Sequence, residues 1–341
     1  MRTYFVTEKH DWFQATFENL NRCLGARRLV LPGPSLGNRR WETLLRMAST
    51  QVMQVFPLMR TILCDQEQVL LVCTAAWYSA LLSGLIARLL GKHPLVYLCN
   101  FYLHSMGNRR VVQITLSWLL AQQVGILVQS PNEIEFFRAL APNVKLDYYP
   151  LCLGNPVEPM GECAPADYVF AGGYTNRDYD TLMRVARRLE SQRFIIVRSP
   201  ANQLPKSIPG NVEVLTDIPA NQFKALMGAS MLVVLPLKQN VGSSGQMVAL
   251  SAMQMAKPVI YADFPAVSQY FRDGYSGIAY TPRDENDLER KIMIAVTDDA
   301  MRRRLGAHAR VEWQERFVRD RFEQALIDGV IEFVALSKQS A

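Results

Sequence analysis

Gln239-Asn-Val-Gly-Ser-Ser-Gly-Gln-Met-Val-Ala-Leu250 runs on into Ser251-Ala-Met-Gln-Met-Ala-Lys-Pro-Val-Ile260. An apolar strand over 231–235 precedes it, and a small polar turn follows that strand. From about 245 to 256 eight of twelve positions are apolar, which predicts a buried helix. Lys257-Pro ends that helix, and 259–261 is again a short apolar strand. Strand, turn, helix and strand in this order make a parallel crossover unit, since parallel pairing needs a long connection. The backbone N–H groups of Ser244, Gly245 and Gln246 are expected to point out of the helix start, where the dipole suits a phosphate. Ser243 and Ser244 can add hydroxyl donors; alternatively one of them is the N-cap.

The same alternation extends in both directions. Before the Pro-rich middle, strands are expected at 4–7, 28–31, 69–73, 95–99 and 126–129. Helices fall between and after them at about 13–23, 41–63, 79–90, 111–122 and 132–140, with Pro57 as a possible kink. The rhythm breaks over 148–165, which holds four prolines and two glycines and reads as a linker. It restarts with strands at 168–171, 194–197, 212–215, 231–235, 259–261 and 277–280. Helices are expected at 179–190, 221–227, 245–256, 285–296, 300–313 and 320–336, with a short one ending at Gly274. This predicts an α/β protein of two doubly wound, Rossmann-like domains, 1–155 and 156–318, and a C-terminal helix at 319–341 that can pack back on the first domain. Ligands are expected at the carboxyl ends of the strands, in a cleft between the two halves.

Composition agrees with a folded chain: of 341 residues, 49% are hydrophobic and 20% charged. The six cysteines, at 23, 64, 73, 99, 152 and 163, form no CxxC pair and have no histidine cluster beside them. That argues against a disulfide framework or a zinc site and fits a reducing cytosol. The net charge of +6 is confined to one half. Residues 1–155 carry 15 Lys and Arg against 9 Asp and Glu, and residues 156–341 carry 22 against 22. This excess suits an anionic partner, membrane or nucleic acid, or is ordinary solubility charge. Nucleic acid is the weaker partner, because zinc-finger, RNP and Lys/Arg-rich motifs are missing. The apolar stretches 77–90 and 111–128 are respectively too short and too polar to span a bilayer. They read as buried helices, or as helices resting one face on a membrane surface.

No Walker A, GxGxxG or GxSxG pattern follows a strand, which disfavours P-loop, dinucleotide and α/β-hydrolase chemistry. A second informative segment is Phe170-Ala-Gly-Gly-Tyr-Thr-Asn-Arg-Asp-Tyr-Asp-Thr-Leu182. Gly172 and Gly173 after a strand let a backbone approach a ligand, and Arg177 can offer a fork to a diphosphate. Asp178-Tyr-Asp180 imitates a metal-binding DxD, but its place at a helix start favours a capping role without metal. In the first half, His10 and Asp11 follow the first strand, and Asn100 and His104 follow the strand at 95–99.

Gly245-Gln246, Leu250-Ser-Ala-Met253 and Lys257-Pro-Val-Ile260 resemble the nucleotide-sugar segment of glycosyltransferase family 4, a retaining GT-B family. Asp273-Gly-Tyr-Ser-Gly277, Pro282-Arg-Asp284, Leu288 and Leu305-Gly306 keep that family's order, so the resemblance covers about residues 168–315. The family often carries Glu-x7-Glu, where this chain has Ser243 and Ser251; Gln246 is similar to a branch with Ser-Gly-Gln at the turn. The resemblance implies a UDP-linked sugar donor and a hydroxyl acceptor on a glycan or lipid carrier, with retention and no metal or other cofactor. It places Arg177 against the donor phosphates and Ser251 near the ribose. Relatives often have a histidine at the position of Asn100, so Asn100 and the displaced His104 are the catalytic candidates beside Arg177. The cysteine pattern and the basic first half set the expectation of a cytoplasmic protein or one at the inner face of a membrane. A UDP-sugar 2-epimerase and a non-catalytic nucleotide-sugar-binding subunit remain as rivals.

Overall fold

The computed structural model describes residues 1–8, 14–33, 40–74, 76–99, 110–120, 123–152, 166–200, 202–239, 242 and 244–339. The chain divides into two compact units, one of residues 1–149 with 323–341 and one of residues 150–322.

The first unit is built, in chain order, from β1 (Arg2–Glu8), α1 (Gln14–Leu24), β2 (Arg27–Leu31), α2 (Arg40–Cys64), β3 (Val69–Cys73), α3 (Trp77–Leu89), β4 (Leu95–Cys99), α4 (Arg110–Leu120), β5 (Val124–Val128), α5 (Pro131–Leu140) and β6 (Lys145–Tyr148). Its strands form one parallel sheet in the order β2-β1-β3-β4-β5-β6. Every residue of β3, β4 and β5 is buried, as expected for central parallel strands covered on both faces. On one face Val6, Leu71, Val96 and Ile126 pack with Leu58 and Ile62 of α2, Leu81 of α3, Leu116 of α4 and Phe137 of α5. Helix α2 runs through Pro57 without interruption.

β6 is a strand that the sequence reading assigned no element. Its residues, Lys-Leu-Asp-Tyr, lack an apolar run because it is an edge strand with charged side chains. It pairs with β5, Gly125 opposite Lys145. The charges are met by Tyr97, whose hydroxyl donates to Asp147 at 2.6 Å, and by an ion pair of Lys145 with Asp147 at 2.7 Å.

The second unit contains β7 (Tyr168–Gly173), α6 (Tyr179–Arg188), β8 (Arg193–Arg198), β9 (Val212–Thr216), α7 (Ala220–Ala229), β10 (Leu232–Leu235), α8 (Gln246–Gln254), β11 (Val259–Ala262), α9 (Pro265–Ser268), β12 (Ile278–Tyr280), α10 (Glu285–Thr297) and α11 (Asp299–Arg316). Its parallel sheet has the order β12-β11-β10-β7-β8-β9. The chain moves outward from β7 to β9 and then returns to β10 on the other side of β7, so strand order reverses between β7 and β10. Loops leaving neighbouring strands in opposite directions open a crevice at such a point. Gly306 of α11 is fixed by packing: a Cβ there would run into the Ala256 carbonyl at the end of α8.

The last helix, α12 (Arg319–Gln339), carries the chain back to the first unit. Asn19 of α1 donates to Glu323 at 2.6 Å, Lys145 donates to the Gly329 carbonyl at 3.2 Å, and Phe333 packs on Tyr97. The unit boundary at Tyr149–Pro150 lies ahead of the expected one, because Leu151 and Cys152 pack against the core of the second unit. The expected linker residues 153–165 lie outside the described residues. Among the described residues, no helix is long and apolar enough to cross a membrane.

Candidate functional site

The loops at the β7 and β10 carboxyl ends are joined. Asp178 N–H donates to the Pro236 carbonyl at 3.0 Å, and Lys238 N–H to the Asn176 carbonyl at 3.1 Å. The Asn176 side chain adds a bond in each direction, donating to Gln239 O at 2.7 Å and accepting from Gln239 N–H at 3.1 Å. The two sequence segments singled out above therefore meet at the strand-order reversal.

Between them lies a cavity of about 320 Å³, within the usual range of small-molecule sites. Gly173, Tyr174, Thr175 and Arg177 line it from the β7 loop, and Gly245, Gln246, Met247, Val248 and Ser251 from α8. Ala220, Phe223 and Lys224 close it from the first turns of α7. The lining holds two cationic side chains and no carboxylate. Beside these two cations and the start of α8, the lining includes the apolar side chains of Phe223, Tyr174, Met247 and Val248.

Arg177 is buried, 8% exposed. Its Nε donates to Gly172 O at 3.0 Å and its Nη1 to Thr175 O at 2.6 Å, which fixes the guanidinium plane. Among the described residues no carboxylate makes an ion pair with it. Burial pulls the guanidinium below its ordinary value, with Tyr179 opposing, yet an arginine stays charged at any working pH. Tyr179 lies beneath the loop, its hydroxyl 3.1 Å from both the Gly173 and Val197 carbonyls, and burial pushes the phenol up to about 12. A buried cation without an acidic partner is costly unless an anion completes it.

The two glycines serve these side chains first. A Cβ on Gly172 would come 2.6 Å from the Phe223 ring, and one on Gly173 would overlap the Arg177 guanidinium. Gly173 also has φ +139°, a conformation few other residues adopt. Gly245 is the N-cap of α8, at φ 89°, and makes no side-chain capping bond. A Cβ on it would meet Val267 at 2.9 Å. The helix thus begins one residue later than expected, at Gln246, and its first-turn amides lack intrahelical partners by construction.

Of the residues singled out from sequence, Gly173, Arg177, Gly245, Gln246 and Ser251 line the cavity, and Gly172 supports it through its carbonyl. Ser244 precedes the cap and is not in the lining. The Ser251 hydroxyl donates back to Met247 O at 2.7 Å, so only its lone pairs remain for a ligand. Asp178 caps α6, accepting from Thr181 N–H at 3.2 Å and from the Thr181 hydroxyl at 2.7 Å. Among the described residues no three His, Cys, Asp or Glu side chains gather as metal ligands. Ser243, His10, Asp11, Asn100 and His104 lie outside the described residues. Phe223 and Lys224 were not legible as site residues. Their one sequence signal is a place in the first turn of the helix after β9, at the sheet's carboxyl edge.

The family described as Glycosyl transferases group 1 matches residues 165–298, which contain the whole cavity lining. Among curated proteins, none matches the sequence. HepE of Anabaena in complex with UDP-glucose superposes with a TM-score of 0.70 at 14% identity, covering 97% of this chain and 100% of its own. Sucrose-phosphate synthase from Thermosynechococcus elongatus gives 0.70 at 13% identity, covering all of both chains. A glycosyltransferase from Rickettsia africae gives 0.65 at 10% identity over 97% of both. The fold, two α/β units each with a six-stranded parallel sheet, is that of GT-B glycosyltransferases.

Proposed function

We propose that the chain is a glycosyltransferase that takes a sugar from a nucleoside diphosphate sugar, UDP-linked, to a hydroxyl acceptor on a glycan or lipid carrier. The observation that carries this reading is the buried, carboxylate-free Arg177 beside the start of α8 in a cavity with apolar side chains in its lining. The cations suit a diphosphate, and the apolar side chains of Phe223, Tyr174, Met247 and Val248 suit a flat base or a sugar face. The match of residues 165–298 to the group 1 glycosyltransferases supports the same reading.

In the transfer, the bond from the anomeric carbon to the diphosphate oxygen breaks and a bond to the acceptor oxygen forms. The departing diphosphate takes the electron pair of the broken bond and accepts the proton that the acceptor hydroxyl gives up. Negative charge grows on that leaving group, so fixed positive groups aimed at it lower the barrier. Arg177 and the α8 amides are those groups, and Lys224 adds a third cation in the lining. We assign retention of configuration and no metal requirement to this reaction, following the family resemblance. The back-bonded Ser251, in the place of an expected carboxylate, favours a second reading: a subunit that binds nucleotide sugar without transfer.

Calorimetric titration with UDP and UDP-sugars, followed by product analysis with candidate acceptors, tests both. Binding with transfer supports the enzyme, binding alone the second reading, and no binding of any nucleoside diphosphate overturns both.

A further inference from the structure

We propose that the outer surface of the α2–α4 layer docks on an anionic lipid membrane. Among the described residues, every large apolar side chain that is at least 60% exposed lies in this layer. They are Val52, Met53 and Phe56 of α2, Leu89 and Leu90 at the end of α3, and Ile114 and Trp118 of α4. In residues 150–322 none exceeds the 51% of Tyr174.

The placement follows from helix periodicity. α2 turns Leu58 and Ile62 inward to the sheet, and α4 turns Leu116, Leu119 and Leu120 inward. Val52, Phe56 and Arg60 fall four residues apart on the opposite side of α2, and Arg110, Ile114 and Trp118 do the same on α4. The helices pack side by side: the Ser79 hydroxyl of α3 lies within hydrogen-bond reach of Gln51 and Gln54 of α2. At the far end, Lys92 Nζ donates to the Asp65 carbonyl at 3.0 Å, which holds the turn after α3 beside the turn after α2. The exposed apolar residues thus share one side of the unit. Large apolar side chains exposed together on one side of a unit mark an interaction site.

Charge selects the occupant. The sequences of α2, α3 and α4 contain five arginines, at 40, 46, 60, 88 and 110, and one carboxylate, Glu42. A second copy of the chain would bring arginine against arginine. Phe56 and Trp118, on the same helix sides as the exposed Arg60 and Arg110, match the boundary between anionic headgroups and acyl chains, where the rings enter and the guanidinium groups stay with the phosphates. The face is independent of the donor cavity, whose lining lies entirely in residues 173–251.

The test is flotation of the full chain with vesicles of phosphatidylglycerol and phosphatidylcholine, and with phosphatidylcholine alone. The chain is expected to float with the anionic vesicles at low salt and to be released at about 0.5 M salt, where screening is nearly complete. Phe56→Ser with Trp118→Ser, and separately Arg60→Glu with Arg110→Glu, are each expected to lower partitioning about tenfold or more. Met293→Ser with Ile294→Ser on α10 is expected to leave it unchanged. UDP titration and the melting temperature report whether each variant is folded, and the charge variant stands if the apolar one is not. No flotation at low salt by a chain that binds UDP overturns the docking face alone. Flotation without UDP binding overturns the donor-site reading alone. Equal binding to neutral vesicles, or a dimer in sedimentation equilibrium that the Phe56 and Trp118 changes abolish, overturns the anionic membrane as occupant.

Discussion

The Arg177 guanidinium lies against the α-carbon of Gly173, so closely that a Cβ on residue 173 would overlap it. Backbone conformation and side-chain placement are therefore one constraint: the glycine keeps φ at +139°, and that bare α-carbon is the floor on which the cation rests. Gly173→Ala should displace the guanidinium from the Gly172 and Thr175 carbonyls. We expect UDP affinity to fall about as far as in Arg177→Ala, and Gly173→Ala with Arg177→Ala to bind no worse than Arg177→Ala alone. A double-mutant cycle by calorimetry reads this directly, and strict additivity would show the two residues to act separately.

Arg177 itself is held at a cost to the unliganded protein. Arg177→Ala should weaken UDP binding by about 1.5–3 kcal/mol, the worth of a hydrogen bond to a charged group. Arg177→Met keeps the packing and removes the buried charge, so its melting temperature without UDP should equal or exceed that of the parent. Thermal melts with and without UDP separate the two effects. A marked fall in the unliganded melting temperature of Arg177→Met would mean that the bonds to Gly172 and Thr175 outweigh the burial of the charge.

Both carboxylate oxygens of Asp178 already serve Thr181 at the start of α6. The carboxylate is thus already engaged as a helix cap, a role that needs no metal. Excess EDTA is therefore expected to leave UDP affinity and turnover intact, while Asp178→Ala loses about 0.5–2 kcal/mol of stability. Activity abolished by EDTA and restored by manganese would refute the capping role as the whole account of Asp178.

Acid sensitivity should arise partly at Asp65. Desolvation pushes this carboxyl up, but the Glu67 amide, the Tyr4 hydroxyl at 2.9 Å and Arg2 at 3.3 Å together bring it below its ordinary value. A carboxylate depressed in the folded state adds stability that is present above its unfolded value, about 3.9, and is lost as pH falls through the folded one. Asp65→Asn should accordingly lower stability at neutral pH and flatten its decline below about pH 4. Denaturant midpoints across about pH 2–7, the span of carboxylate titration, measure it, and parallel curves for the two proteins would rule Asp65 out.

How much of this was legible in sequence depends on where each residue's reasons lie. β3 and β4 stand at their expected bounds, because Val-Leu-Leu-Val-Cys and Leu-Val-Tyr-Leu-Cys are apolar runs that only a covered sheet can accept. β6 was missed because its lysine and aspartate are satisfied by Tyr97 and by Gly329, 184 residues after Lys145. In the site, glycines after a strand pointed to Arg177, but the duty of those glycines toward Phe223 and the guanidinium is purely tertiary. That the Ser251 hydroxyl donates to Met247, one turn back in its own helix, is a bond that no spacing reveals. Lys224 reaches the cavity because the sheet order brings α7 beside the β7 loop, a matter of topology and not of pattern.

The return of α12 to the first unit has a consequence for synthesis. Residues 150–322 form a unit whose parts are all consecutive, whereas the unit that begins the chain is completed only by residues 323–341. Phe333 and Gly329 cover Tyr97 on one face of the first sheet, and Glu323 receives Asn19. A nascent chain leaving the ribosome therefore meets its two halves in reverse: the segment made second can close its core first. The segment made first waits, its sheet half covered, until the final helix emerges. During that interval the face around Tyr97 lacks the cover that Phe333 and Gly329 give it in the finished fold.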